Sequence, residues 1–257
     1  MNRREFICSG MMLTTFEKLS IPTLFTTWVE KEFLCPVCST KNIYRVIGSF
    51  GTYIYGWPSK YQVIYWPVTD GNSVYCCKKC HLTLFMWDHD DLASEKVAAI
   101  RKVLDGLEVK LTFTDYARVP MTQRLVIAEK IYQALEMKDE FWCRFYRILG
   151  YHYAAENDQA KAELARRNAL RFVERMIAGK SSATPMKELL LISGAMKHFL
   201  RDDSGSLADF GAALRTRYEN KEASAEDNRN AEKNLNDFIK EYIDRVKSKK
   251  PPRDDEQ

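Results

Sequence analysis

The chain has 257 residues, 46% of them hydrophobic and 12% aromatic, which excludes wholesale disorder and leaves room for one large domain or two small ones. Thirty-nine basic side chains against 35 acidic ones give a net charge of +4, too mild to demand a polyanionic partner. Seven cysteines are too few for a disulfide scaffold, and no apolar run approaches the roughly 20 residues needed to span a bilayer.

Residues 1–32 read as an N-terminal arm. Its opening, MNRREFI, sets two arginines ahead of the apolar stretch Ile7–Phe16, as a twin-arginine export signal does. Glu17 and Lys18 break that stretch and no small-x-small cleavage site follows. The expectation is a short amphipathic arm on a cytoplasmic protein, with export through a twin-arginine signal as the alternative.

Residues 33–90 read as a β-rich zinc-ribbon module. Asn42–Ile47 and Gln62–Val68 are rich in strand formers, Ser73–Cys76 and Leu82–Trp87 flank the second cysteine pair, and Gly48, Gly51, Gly56, Pro58 and Asp70-Gly71 mark turns. From Asp91 the apolar period changes from 2 to about 3.6, and residues 91–248 read as consecutive helices. Asp91 is the expected cap of the first, running to about Leu107. Pro120 suits the first position of a helix over Met121–Met137, and Asp139 caps the next, to about Glu156. Asn157 or Asp158 caps one to about Ala178, Thr184-Pro185 opens one ending near Arg201, and Ser206 starts one to Glu219. Ser224 with Asp227 forms a capping box for the last, whose stripe is Leu235, Phe238, Ile239, Tyr242, Ile243 and Val246. Residues 249–257 read as a charged, disordered tail. The fold class expected is α+β, a small zinc ribbon followed by an all-α helical region.

The motif with the most specific chemistry is a pair of CxxC turns, Cys35-Pro-Val-Cys38 and Cys77-Lys-Lys-Cys80, 38 residues apart. A structural Zn²⁺ takes four ligands at tetrahedral corners, and two such turns supply four thiolates. Cys35, Cys38, Cys77 and Cys80 are therefore the expected ligands of one structural zinc, in a closed site with no position for substrate. Cys76 or His81 could substitute as a ligand. The x2 spacing favours Cys77, and His81 follows the turn, where a residue closes it. A thiol redox or redox-sensing site is the alternative, although neither CxxC opens a helix beside a βαβ pattern.

Aromatic residues crowd the module, among them Tyr44, Tyr53, Tyr65, Trp66, Tyr75, Phe85 and Trp87. They could stack bases, as a nucleic-acid-binding zinc ribbon would. Residues 33–90 hold only five basic and three acidic side chains, and a four-thiolate zinc site contributes −2, so nucleic acid is not the expected partner. The rings are expected to build the core of a small module. Asp88-His89-Asp90-Asp91 could hold a second metal, but its place before a helix favours capping. HExxH, phosphate-loop, dinucleotide and nucleophile-elbow signatures are missing from the sequence, and no catalytic residue is assigned.

Tyr146, Leu149, Gly150, Tyr153, Ala162 and Ala169 fall at tetratricopeptide-repeat spacing, with Arg166 where a large residue is expected. A weaker echo is Leu190, Gly194, Phe210 and Ala213; an ordinary helical bundle would serve as well. Taken with the cysteine framework and Ser49-Phe50-Gly51 in the insert, the order of features resembles a bacterial family of unknown function. That family joins an N-terminal four-cysteine zinc ribbon to a tetratricopeptide-like helical region. The resemblance covers about residues 33–220 and implies that architecture, zinc at the four cysteines and a bacterial source; the family has no established activity to carry over. It departs at His81, where the family has Gly, and in the twin-arginine-like start. The function expected is a zinc-stabilised interaction protein whose helical surface takes a protein or peptide partner.

Overall fold

The computed structural model describes residues 27–49, 62–64, 67–89, 92–108, 111–179 and 183–250. The class is α+β. Among these residues are two antiparallel two-stranded sheets, followed by seven α-helices. The chain forms two compact units. One comprises described residues 27–49, 67–89, 92–108 and 111–137, and the other 62–64, 138–179 and 183–250.

The first unit is built on two hairpins. Strand β1 (Thr27–Leu34) pairs with β2 (Lys41–Ser49), with Leu34 opposite Lys41. Strand β3 (Val74–Cys76) pairs with β4 (Thr83–Phe85), with Cys76 opposite Thr83. Each loop that closes a hairpin is one of the CxxC turns. The arm expected over residues 1–32 therefore gives way to strand from Thr27. The polar run Glu30-Lys31-Glu32 hid this strand, because its face is largely exposed and needs no apolar alternation. The twin-arginine-like segment lies outside the described residues.

Helices α1 (Val97–Asp105) and α2 (Met121–Ala134) belong to this unit. Helix α1 follows a 3₁₀ turn over Ser94–Lys96, with Ala93 at the cap position of that turn, so it starts later than a cap at Asp91 would give. Helix α2 is fastened to the hairpins by two side chains. Tyr132 donates its hydroxyl to Asp88 (2.7 Å) and accepts from the Phe85 amide (2.8 Å). Arg124, 1% exposed, donates to the carbonyls of Val119, Gly71 and Val74. Its burial lowers the guanidinium pKa to about 10, and the carbonyls supply the hydrogen bonds that water would otherwise give.

The second unit is helical. Its helices are α3 (Asp139–Ala155), α4 (Gln159–Gly179), α5 (Met186–Phe199), α6 (Asp203–Arg215) and α7 (Ala225–Lys247). Each packs on the next in sequence. Ser224 caps α7 as the sequence predicts, its Oγ accepting from the Asp227 amide at 3.1 Å and donating to the Asp227 carboxylate at 2.7 Å. Pro120 and Pro185 stand at the cap of α2 and α5, one residue ahead of the expected position, and Asp202 rather than Ser206 caps α6.

Small residues let the helices approach. A Cβ on Gly150 would lie 3.4 Å from the Ala162 carbonyl, and one on Gly194 only 2.6 Å from the Phe210 ring. Ala162, Ala169 and Ala213 are fully buried. Arg166 is buried too, its guanidinium 4.2 Å over the Phe199 ring, so its stem and plane fill the space of a large apolar residue.

The strand expected over Gln62–Val68 is corrected. Gln62 and Val63 form a turn, Ile64 makes a lone bridge, and the chain turns again from Pro67. Val63 has φ of 55°, and Arg147 takes the carbonyls of Gln62 (2.9 Å) and Val63 (2.8 Å). Those carbonyls are thus withdrawn from any strand ladder.

Candidate metal centre

The two cysteine turns share one build. In the first, the Cys35 amide donates to the Thr40 carbonyl (2.9 Å) and the Ser39 amide to the Cys35 carbonyl (2.9 Å). In the second, the Cys77 amide donates to the Leu82 carbonyl (2.9 Å) and the His81 amide to the Cys77 carbonyl (3.0 Å). The residue that closes each turn is left-handed, Ser39 at φ 56° and His81 at φ 62°. That conformation reverses the chain after the second cysteine and is one that glycine adopts without strain. Amides of Val37 and Cys38 point at the Cys35 sulfur, and those of Lys79 and Cys80 at the Cys77 sulfur.

The turns bring all four sulfurs within 4.8 Å of one another. Cys35 Sγ lies 3.5 Å from Cys80 Sγ, and Cys38 Sγ 3.6 Å from Cys77 Sγ. A tetrahedral ion with bonds of about 2.3 Å sets its sulfurs about 3.8 Å apart, whereas a disulfide needs about 2.0 Å. The spacing fits coordination, and the four are free thiols. The four cysteines can therefore hold a metal ion.

Electrostatics point the same way. Crowded thiols cannot all ionise unaided. Hydrogen bonds from Cys35 and Cys80, with two amides behind them, push the Cys77 pKa far down. Hydrogen bonding to Cys77 then pushes Cys35 up to about 12, and Cys80 is raised by its bonds to Cys35 and Cys77. Ionisation of Cys77 is thus favoured over that of Cys35 and Cys80, and a bound cation would ease that competition.

Around the sulfurs sits a residue that sequence reasoning missed. Asn42, 3% exposed, donates from Nδ2 to the Thr40 carbonyl (2.9 Å) and to Cys77 Sγ (3.5 Å). Its Oδ1 accepts from the Lys78 amide at 3.0 Å. One side chain on β2 thereby ties the two turns together. The available signal was an amide side chain within a run of strand formers, where propensity disfavours it. Arg101 of α1 adds a second tether, donating to the Val37 carbonyl at 2.8 Å.

His81 is spent elsewhere, its Nε2 2.8 Å from the Leu111 carbonyl oxygen, and is not among the clustered donors. Cys76 is also outside the cluster. It lies fully buried in β3, and burial pushes its thiol up to about 11. Of Asp88-His89-Asp90-Asp91, Asp88 accepts from Tyr132, and Asp90 and Asp91 lie outside the described residues. His89 is buried, edge-on to Phe33, Tyr44 and Tyr75. Tyr44 and Tyr75 stack with centroids 4.2 Å apart, and Tyr116 meets both edge-on. These rings form the core beneath the cysteine turns; Tyr53, Tyr65 and Trp66 lie outside the described residues.

No helix among the described residues is long and apolar enough to cross a membrane. No family model, curated protein or solved structure matches the chain.

Proposed function

We propose that this chain is a zinc-stabilised interaction protein of a reducing, cytoplasmic compartment. Cys35, Cys38, Cys77 and Cys80 bind one Zn²⁺ as thiolates and close a ribbon-like module without performing catalysis. The observation that carries the reading is the four-sulfur cluster on two matched hairpin loops, with every tetrahedral corner supplied by the chain. The helical unit serves as a tetratricopeptide-like stack, presenting its surface to a protein or peptide partner. Support for this half is the close approach at Gly150 and Gly194 and the sequential packing of α3 to α7.

Metal analysis under reducing conditions tests the first half. One zinc per chain is expected, with the four clustered thiols reactive only after chelation. A folded, metal-free Cys35→Ser protein with unchanged melting overturns it. Photo-crosslinkers placed in cells at exposed positions on two helices, Leu164 on α4 and Lys233 on α7, test the second half. Absence of any protein adduct at both positions overturns that half.

A further inference from the structure

Helix α4 carries an unusual outward face. Arg167, Arg171 and Arg175 recur every fourth residue and are all exposed. Leu164, one turn before Arg167, is 60% exposed, and among the described residues of the helical unit no other large hydrophobic is so exposed. Like charges at this spacing repel along a helix, so the row lowers the stability of α4 unless acidic groups meet it.

Among the described residues an ion pair meets only one end of it. Arg175 pairs with Asp139 of α3. Neither Arg167 nor Arg171 has a carboxylate partner among the described residues. Two of the guanidinium groups are nonetheless held in place, Arg175 at 4.5 Å and Arg171 at 5.3 Å from the centroid of the Phe172 ring. That ring is itself stacked on Tyr146 and Trp142 of α3. A guanidinium braced on an aromatic surface loses less freedom when it meets a carboxylate.

We propose that this face of α4 docks an acidic amphipathic helix of a partner protein. Carboxylates four residues apart on a helix rise about 6 Å per step, the same interval as the arginine row. An apolar side chain one turn away would cover Leu164. Nucleic acid fits the face less well. An apolar anchor, Leu164, stands beside the row one turn before Arg167, and none of the exposed large hydrophobics of the described residues is an aromatic ring for base stacking. This inference rests on the interaction reading above and names the partner chemistry of one of its helical faces.

The test uses the full zinc-loaded chain and a fluorescent synthetic helical peptide with Glu at every fourth position and Leu one turn ahead of the first Glu. Anisotropy titrations compare wild type, R167E/R171E, R167Q/R171Q and Leu164→Ser, with circular dichroism confirming that each variant is folded. Expected are binding by wild type, a loss of about tenfold or more in R167E/R171E, smaller losses in the other two, and a similar loss when the peptide's Glu residues become Gln. No binding at low salt, or equal binding by R167E/R171E, overturns the proposal. Tighter binding of a single-stranded DNA oligonucleotide that depends on the same arginines overturns the partner class. Protein crosslinks from Lys233 but none from Leu164 sink the α4 docking face and leave the interaction reading standing, whereas no crosslink from either sinks both.

Discussion

Replacing Asn42 by Ala tests whether the cysteine turns form one metal centre or two independent loops. The substitution removes hydrogen bonds to the Thr40 carbonyl and from the Lys78 amide, at 2.9 and 3.0 Å, and a third contact to the Cys77 sulfur at 3.5 Å. Two neutral bonds lost at a buried position, with their partners left unpaired, cost about 2–4 kcal/mol of stability. Loss of the sulfur contact acts on the metal, where such outer partners are worth about 10–100-fold in affinity. Asn42→Asp separates the two effects. It keeps an acceptor for the Lys78 amide, yet it loses the donor and turns a carboxylate toward the thiolates. The expected order of zinc affinity is wild type, then Ala, then Asp, although Asp preserves more of the shape. Competition with a chromophoric chelator reads affinity, and urea unfolding of the zinc-loaded chain reads stability. Equal zinc affinity in all three proteins refutes the reasoning, because Asn42 would then be a strand residue with no hold on the metal.

Three further outcomes follow from particular residues. Ser39→Gly should stabilise the zinc-loaded chain by about 0.5–1 kcal/mol, since Ser39 holds φ of 56° where glycine is unstrained; a lower urea midpoint contradicts this. Gly194→Ala should destabilise the helical unit by about 1 kcal/mol, because overpacking against buried Phe210, whose ring would lie 2.6 Å from the new Cβ, outweighs the gain in helix propensity; a raised melting temperature contradicts it. His198 is 3% exposed, with Nδ1 3.0 Å from Asp203, and burial holds its pKa below the ordinary 6.5 despite that carboxylate, with Arg245 and Arg201 adding to the depression. Below about pH 6.5 the unfolded chain therefore binds a proton that the folded chain refuses, so stability falls as pH drops through this window and is recovered above it. Thermal melts between about pH 7 and pH 5 should show a shallower fall in His198→Gln, and identical slopes count against the assignment.

Much of the helical unit was legible in the sequence because its signals are local. Ser224 caps α7 as its spacing from Asp227 predicts, and the buried Leu235, Ile239, Tyr242 and Val246 follow its stripe. The cysteine spacing likewise identified which four sulfurs could meet, and the position of His81 marked where the second turn closes. Helix starts were less legible. Asp88, a natural helix-start residue, is claimed by Tyr132, a partner 44 residues away along the chain.

Other features came only from long-range partners. Strand β1 carries Glu30-Lys31-Glu32, which reads as a polar arm until β2 supplies the ladder beside it. Gln62–Ile64 has strand composition, yet Arg147, 84 and 85 residues away, takes the carbonyls a ladder would need. The sequence by itself determined which four cysteines cluster and the helical periodicity, because CxxC spacing and a 3.6-residue repeat are fixed by residue type and position. Only the tertiary structure decided that both CxxC turns are hairpin loops joined by Asn42, that Arg166 serves as a core residue, and that α4 turns a row of arginines to solvent. Burial and hydrogen-bond partners are set by distant parts of the chain, and no local pattern encodes them.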